Sequence, residues 1–272
     1  MPETVHSTPP IVLTFAASDP TGGAGLQSDL LTLVALGAYP LSVVTGITLQ
    51  DTAALEDMDA IDSDWVADQA RVLLEDIPVQ AFKIGVLGSI ENVAAVAEVI
   101  ADYPHLPVVF DPVFSSTRAD AFADEEMLAA MTELLLPLTT VLTPNSAEAR
   151  RFAQEEDDDE ELELAECARH LVELGADHVL ITGVHEPTPQ VVNTLYGRRG
   201  VERADAWERL PGAYHGAGST LATAIAALLA RGESVSDAVR AAQEFTWNTL
   251  VHAHRIGMGQ MIPNRFFMPR SS

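Results

Sequence analysis

The sequence predicts an α/β fold with a mainly parallel central sheet and helices on both faces. Two observations carry that prediction. Short β-branched runs alternate with amphipathic or apolar helical stretches as far as Thr182. The runs are mostly continuous in apolar character, as expected for parallel strands buried on both faces.

Ile11 to Ala16 reads as the first strand, and Gly25 to Leu36 as the helix after it. Ser42 to Ile47 is the next strand. Asp62 and Ser63 are helix-start residues ahead of Trp65 and open a helix over 64–75. Ala81 to Val86, Val108 to Asp111, Val141 to Thr143 and Val179 to Thr182 continue as strands. The helical stretches Glu91 to Ala101, Asp124 to Leu135 and Leu162 to Leu174 lie between them. Beyond Thr182 the pattern changes. Val191 to Tyr196 and Val201 to Trp207 flank the polar turn Gly197-Arg198-Arg199-Gly200, which predicts a hairpin. Two long helices follow, from about Ser219 to Ala230 and from Val235 to Ala253. There is no internal repeat and no linker-like shift in composition. Residues 11–272 are therefore expected to form one domain after a flexible N-terminus of residues 1–10.

The 272 residues carry 40 acidic and 15 basic side chains, a formal net charge of −25. That excess repels a phosphate backbone and an anionic membrane, so neither nucleic acid nor membrane is expected as a partner. No apolar run reaches the length of a membrane span, and residues 1–10 lack a secretory pattern. The single cysteine, Cys167, excludes an internal disulfide framework and fits a reducing compartment. A cytoplasmic protein is the expectation. Glu155 to Glu161 form an unbroken acidic run, read as a solvated loop, because adjacent carboxylates repel and have no fixed geometry. Fourteen of the 15 basic residues are Arg. The one lysine, Lys83, stands in an apolar, Gly-flanked segment and is read as a cation held near an anionic ligand.

Four polar segments fall at strand ends or a helix start. His215-Gly216-Ala217-Gly218-Ser219-Thr220 precedes an apolar helix. Its glycines permit close backbone approach, and the first helical N–H groups have no partners, so it suits a transferring phosphoryl group. Its spacing is not that of a Walker A loop. Ser18 to Gly25 follows the first strand, where an open α/β sheet places ligands; it lacks the G-x-G-x-x-G spacing of a dinucleotide site. Asn145 and Glu148, three apart after the strand at 141–143, offer oxygen ligands for a hydrated Mg²⁺ or, alternatively, cap a helix. Asp111, in Asp111-Pro112-Val113, adds a carboxylate to the same rim. Together these describe a kinase site without a P-loop. His215 is read as a loop histidine bonded to nearby backbone, with a proton shuttle as the other reading. Trp207, Trp247 and Phe245 are read as core or interface.

These motifs resemble those of the hydroxymethylpyrimidine/phosphomethylpyrimidine kinases of thiamine biosynthesis, within the ribokinase-like superfamily. The resemblance runs from about Ile11 to Phe267. It rests on Ser18 to Asp29, Leu36-Gly37-Ala38-Tyr39, Thr48 to Thr52, Lys83-Ile84-Gly85, Asp111-Pro112-Val113, Thr143 to Glu148 and His215 to Leu221. It implies a ribokinase-like three-layer sandwich, a homodimer, and transfer of the ATP γ-phosphoryl to 4-amino-5-hydroxymethyl-2-methylpyrimidine and then to its monophosphate. By position, Gln50 would hold the pyrimidine, with Gly23, Asp29 and Lys83 nearby. Asn145, Thr182 and Asp111 would meet the nucleotide, and Asn145 and Glu148 would organise Mg²⁺. Gly216, Ala217 and Gly218 would form the anion hole, with Ser219 as base for the hydroxyl. Two positions depart from the family pattern. Ser219 stands where the family usually has Cys and the superfamily Asp, and serine is a poor base near neutrality. Thr182 stands where many members have a phosphate-binding Lys. A pyridoxal-type kinase, or a non-catalytic pyrimidine-binding protein, is the alternative that the same residues leave open.

Overall fold

The computed structural model describes residues 8–113, 125–153 and 162–267, so the acidic run at 155–161 lies outside the described residues. The elements are β1 (Ile11–Ser18), α1 (Gly25–Ala35), β2 (Tyr39–Gln50), β3 (Leu55–Ala60), α2 (Ser63–Asp76), β4 (Ala81–Ile84), α3 (Ile90–Ala101) and β5 (Val108–Phe110). They continue with α4 (Glu125–Leu134), β6 (Val141–Leu142), α5 (Ser146–Ala153), α6 (Leu164–Glu173), β7 (His178–Thr182), β8 (Gln190–Gly197), β9 (Gly200–Glu208), α7 (Ala217–Leu229) and α8 (Val235–Val251). Pro10, placed in the N-terminal tail by expectation, is held by the sheet: its carbonyl accepts from Tyr39 N at 2.8 Å.

The strands form one sheet in the order β3-β2-β1-β4-β5-β6-β7-β8-β9. Pairs from β2 through β7 are parallel; β3, β8 and β9 join antiparallel at the two ends. The expected hairpin is β8–β9, closed at Gly197 and Gly200. Helix starts follow sequence chemistry. Asp62 accepts from Asp64 N at 3.1 Å, Ser89 from Asn92 N at 3.1 Å and Ser234 from Asp237 N at 3.2 Å.

Strand periodicity divides the interior into two cores, one on each face. Leu13 and Phe15 of β1, with Phe82 and Ile84 of β4 and Phe110 of β5, pack on the side covered by α2 to α6. Val12, Ala81 and Val109 face the opposite side, against α7 and α8. Burying each of these large apolar side chains is worth roughly 1.5–3 kcal/mol. The same alternation decides where the chemistry goes. Because Phe82 and Ile84 face one layer, Lys83 between them faces the α1–α7 layer.

Candidate active site

The strand order reverses direction at β1, which leaves a crevice at the carboxyl ends of β1 and β4, where ligands of open α/β sheets bind. A cavity of about 470 Å³ occupies that rim, within the range of small-molecule sites. Gln50, Asp19, Gly216 to Ser219, Thr182, Trp207 and Trp247 all line it. Gln50 and the start of the helix at 217 thus open into one space.

Helix α7 begins in that space. Its N-cap, Gly216, has φ 85° and ψ 19°, and no side chain caps the helix. The first N–H groups therefore lack intrahelical partners and point at the cavity. A Cβ on Gly216 would overlap the carbonyl oxygen of Gly23, so both the backbone angle and the contact require glycine. Arg265, 3% exposed, ties these two loops together. Its Nη2 donates to the Gly23 carbonyl at 2.6 Å, to Ser28 Oγ at 2.7 Å and to Thr220 Oγ1 at 2.9 Å.

Beside the helix start, His215 Nε2 lies 2.8 Å from Asp19 Oδ2 and 3.4 Å from Gln50 Nε2. Burial pushes the Asp19 carboxyl up. Hydrogen bonds from His215 and Gln50 and from the N–H groups of Ala24 and Thr21 outweigh it, and hold the group well below the usual carboxylate range. Asp19 is therefore ionised at neutral pH and fixes the His215 ring. The backbone-bonded reading of His215 is corrected: its ring is paired with a carboxylate, and only its main-chain N–H meets backbone, at Met261 O.

Lys83, 1% exposed, lines the cavity and sits 3.0 Å from Asp29 and 3.9 Å from Asp111, so its charge already has partners. Further expectations are corrected. Asp29 does not line the cavity. Its carboxylate is buried beneath the floor and accepts from Thr14, Lys83 and Thr223 at 2.6, 3.0 and 2.7 Å. Gly23 does not line it either; a side chain there would collide with the His215 ring and Ile262, so this glycine serves packing. Asn145 and Glu148 form a reciprocal cap of α5. Asn145 N donates to Glu148 Oε2 at 2.8 Å, and Glu148 N to Asn145 Oδ1 at 2.9 Å. Both residues line the cavity, with Thr182 bridged to Asn145. Trp207 and Trp247 also line it, 6.2 Å apart, although Phe245 is core as expected.

A family model described as phosphomethylpyrimidine kinase matches residues 19–264, which include Asp19, Gln50, Asn145, Glu148, Thr182 and Gly216 to Ser219. The chain belongs to the phosphomethylpyrimidine kinase family. A hydroxymethylpyrimidine/phosphomethylpyrimidine kinase of Mycobacterium tuberculosis is 40% identical over 258 residues, covering 93% of this chain and 92% of the relative. The thiamine biosynthesis bifunctional protein ThiED of Geobacter sulfurreducens is 36% identical over 248 residues; the match covers 91% of this chain but 50% of that longer protein. Among solved structures, the pyridoxal kinase of Staphylococcus aureus with AMP-PCP and pyridoxal aligns with TM-score 0.84 and 27% identity, over 97% of this chain and 96% of that one. The phosphomethylpyrimidine kinase of Clostridium difficile aligns with TM-score 0.75 and 29% identity, over 89% and 99%. The ribokinase-like architecture expected of the phosphomethylpyrimidine kinase family is therefore the one observed.

Within this phosphomethylpyrimidine kinase framework the two departures have distinct surroundings. Ser219 Oγ donates to Asp111 Oδ2 at 3.3 Å. Thr182 ends β7, and Arg209 shares the lining with it, its guanidinium holding the carbonyls of Gly183, Val184, Glu186 and Thr188. The sequence reading gave no role to Asp19 or Arg265. Asp19 was visible as a carboxylate directly after a strand; Arg265 left no local signal, because its partners are up to 243 residues away. No helix among the described residues is long and apolar enough to cross a membrane.

Proposed function

We propose that this chain transfers the γ-phosphoryl of ATP to 4-amino-5-hydroxymethyl-2-methylpyrimidine and then to the resulting monophosphate. The observation that carries this reading is the single cavity joining Gln50 to the bare start of α7. The amide of Gln50 carries a donor and an acceptor that match an aminopyrimidine edge. Asp19, hydrogen-bonded by both His215 and Gln50, limits how far that amide can turn. The N–H groups at 217–219 receive the migrating phosphoryl, where charge stabilisation and positioning supply most of the catalysis. The paired indoles of Trp207 and Trp247 in the lining receive the nucleotide base.

A divalent cation fits this chemistry in one form only. Among the described residues no group of three His, Cys, Asp or Glu is arranged to chelate a metal. Glu148 and Asn145 already cap α5, so they would hold a hydrated Mg²⁺ through its waters. Bound there, Mg²⁺ would offset the charge of the phosphates. The reading also includes a cytoplasmic homodimer. Cys167, the one cysteine of the sequence, is buried, consistent with a reducing compartment. Ile47 and Leu49 of β2 are exposed and available to a second copy.

A coupled assay of ADP release tests the proposal. Phosphorylation of the hydroxymethylpyrimidine with a kcat/KM above that for pyridoxal is the expected result. The reverse ranking assigns the chain to pyridoxal, and binding without ADP release defeats the kinase reading. Ser219→Cys is expected to raise kcat with the KM for ATP unchanged, because a thiol ionises more readily than a serine hydroxyl. An equal or lower kcat would remove Ser219 from the proton path.

A further inference from the structure

The floor of the cavity holds two buried carboxylates and one ammonium. Lys83 of β4 lies between Asp29 of α1, at 3.0 Å, and Asp111 after β5, at 3.9 Å. Lys83 and Asp111 are 1% and 3% exposed at the cavity wall, and one buried cation between two buried carboxylates favours proton uptake by the carboxylate less well held. The two carboxylates are not equivalent. Asp29 accepts three short hydrogen bonds, from Thr14, Lys83 and Thr223. Among the described residues, the Asp111 side chain has a single long hydrogen bond, 3.3 Å from Ser219 Oγ. Asp111 also borders the anion hole directly: a methyl on Gly218 would stand 3.6 Å from Asp111 Oδ1.

We propose that Asp111 is the terminal proton acceptor of the phosphoryl transfer, reached through the hydroxyl of Ser219. The inference rests on the kinase reading. In the transfer, the substrate hydroxyl oxygen bonds to the γ-phosphorus of ATP as the bond to the bridging oxygen breaks and its electron pair leaves with ADP. The substrate's hydroxyl proton passes to Ser219 Oγ, and the proton of Ser219 passes to Asp111 Oδ2. Ser219 ends neutral, Asp111 ends protonated, and that proton is later lost to water. Serine need not ionise on its own in this scheme.

The electrostatics agree with the geometry. Burial pushes the Asp111 carboxyl up to about 6; the Lys83 charge opposes this, Asp29 adds to it, and the Ser219 hydrogen bond opposes it. The ionisable groups facing Asp111 are Lys83 and Asp29, so its titration is set by that cluster. The native state binds more protons than the unfolded chain between the ordinary value of 3.8 and about 6, so this group favours folding as pH falls through that window. Above it, the fold carries a buried charge at a cost. Asp111→Asn removes that cost and is expected to keep its Tm near pH 7.

The test measures kcat, KM and pH profiles for the wild type, Asp111→Asn, Ser219→Cys and the double variant, on whichever alcohol the wild type phosphorylates. Asp111→Asn is expected to lower kcat by ~10²–10⁴-fold with the KM for ATP unchanged. The acid limb of the wild-type profile, near pH 6, is expected to vanish in that variant. In the Ser219→Cys background the same substitution is expected to cost less than about tenfold, because the thiol can act as its own base. Equal losses in both backgrounds, or a retained acid limb, would overturn the proposal and leave Asp111 a charge-balancing residue. Should Asp111→Asn fold poorly, Ser219→Ala decides: the relay requires a comparable loss of kcat, and wild-type turnover in it overturns the scheme. A wild type that phosphorylates neither alcohol overturns the kinase reading and this inference together. An active wild type with an equally active Asp111→Asn overturns this inference alone.

Discussion

Gly216→Ala is expected to lower kcat by at least ~10²-fold while the sheet and its two cores stay folded. Gly216 lies at φ 85°, a region that costs an L-residue roughly 1–2 kcal/mol. The larger effect is steric. The new Cβ would fall on the Gly23 carbonyl oxygen, which is backbone and cannot rotate away. One of the two loops must move, and Arg265 holds both. Displacing the start of α7 takes the N–H donors off the path of the phosphoryl group. A shift of about 1 Å in such a site is enough to cost ~10²-fold. Steady-state kinetics with circular dichroism checks this; more than half of wild-type kcat in a folded variant would show that the loops tolerate separation.

Arg265→Ala is expected to lower stability by about 3 kcal/mol and Tm by roughly 6–12 °C. The guanidinium is buried, and burial pushes its pKa down to about 10, against the opposing charges of Asp29 and Asp19. It remains charged at neutral pH. Truncation would strip a donor from the carbonyls of Gly22 and Gly23 and from the hydroxyls of Ser28 and Thr220, and leave them dry. Arg265→Lys is expected to recover little of the loss, since an ammonium cannot present a planar fork to partners on three segments. Thermal denaturation of both variants checks this; a Tm within about 2 °C of wild type for Arg265→Ala would mean that water replaces the clamp.

The parts of this molecule legible in its sequence are those specified locally. The strands of the parallel sheet announce themselves as β-branched runs such as Ile11 to Ala16, because burial on both faces forbids polar alternation. β3 escaped notice because Leu55-Glu56-Asp57-Met58-Asp59-Ala60 is an edge strand with exposed acids, whose hydrogen bonds come from β2 rather than from any pattern of its own. α5 is legible only as a possible cap at Asn145, since it spans eight residues and carries one large apolar side chain, Phe152. In the site, the Gly-rich start of α7 and Gln50 were readable as motifs, and they share a cavity. What could not be read was pairing across distance. Lys83 alone in an apolar strand looks like a cation awaiting a ligand; only the fold brings Asp29 to it over 54 residues. His215 and Asp19 meet over 196 residues, and neither neighbourhood hints at the other.

The seclusion of Lys83 has a practical use. The sequence contains no other lysine, and this one is 1% exposed between the sheet and the α1–α7 layer. An amine-reactive ester can therefore modify an ε-amine only in molecules whose interior has opened. The rate at which that adduct accumulates, followed by mass spectrometry, counts rare opening events of the native ensemble. Bound nucleotide should slow the accumulation in proportion to how tightly it grips the closed form.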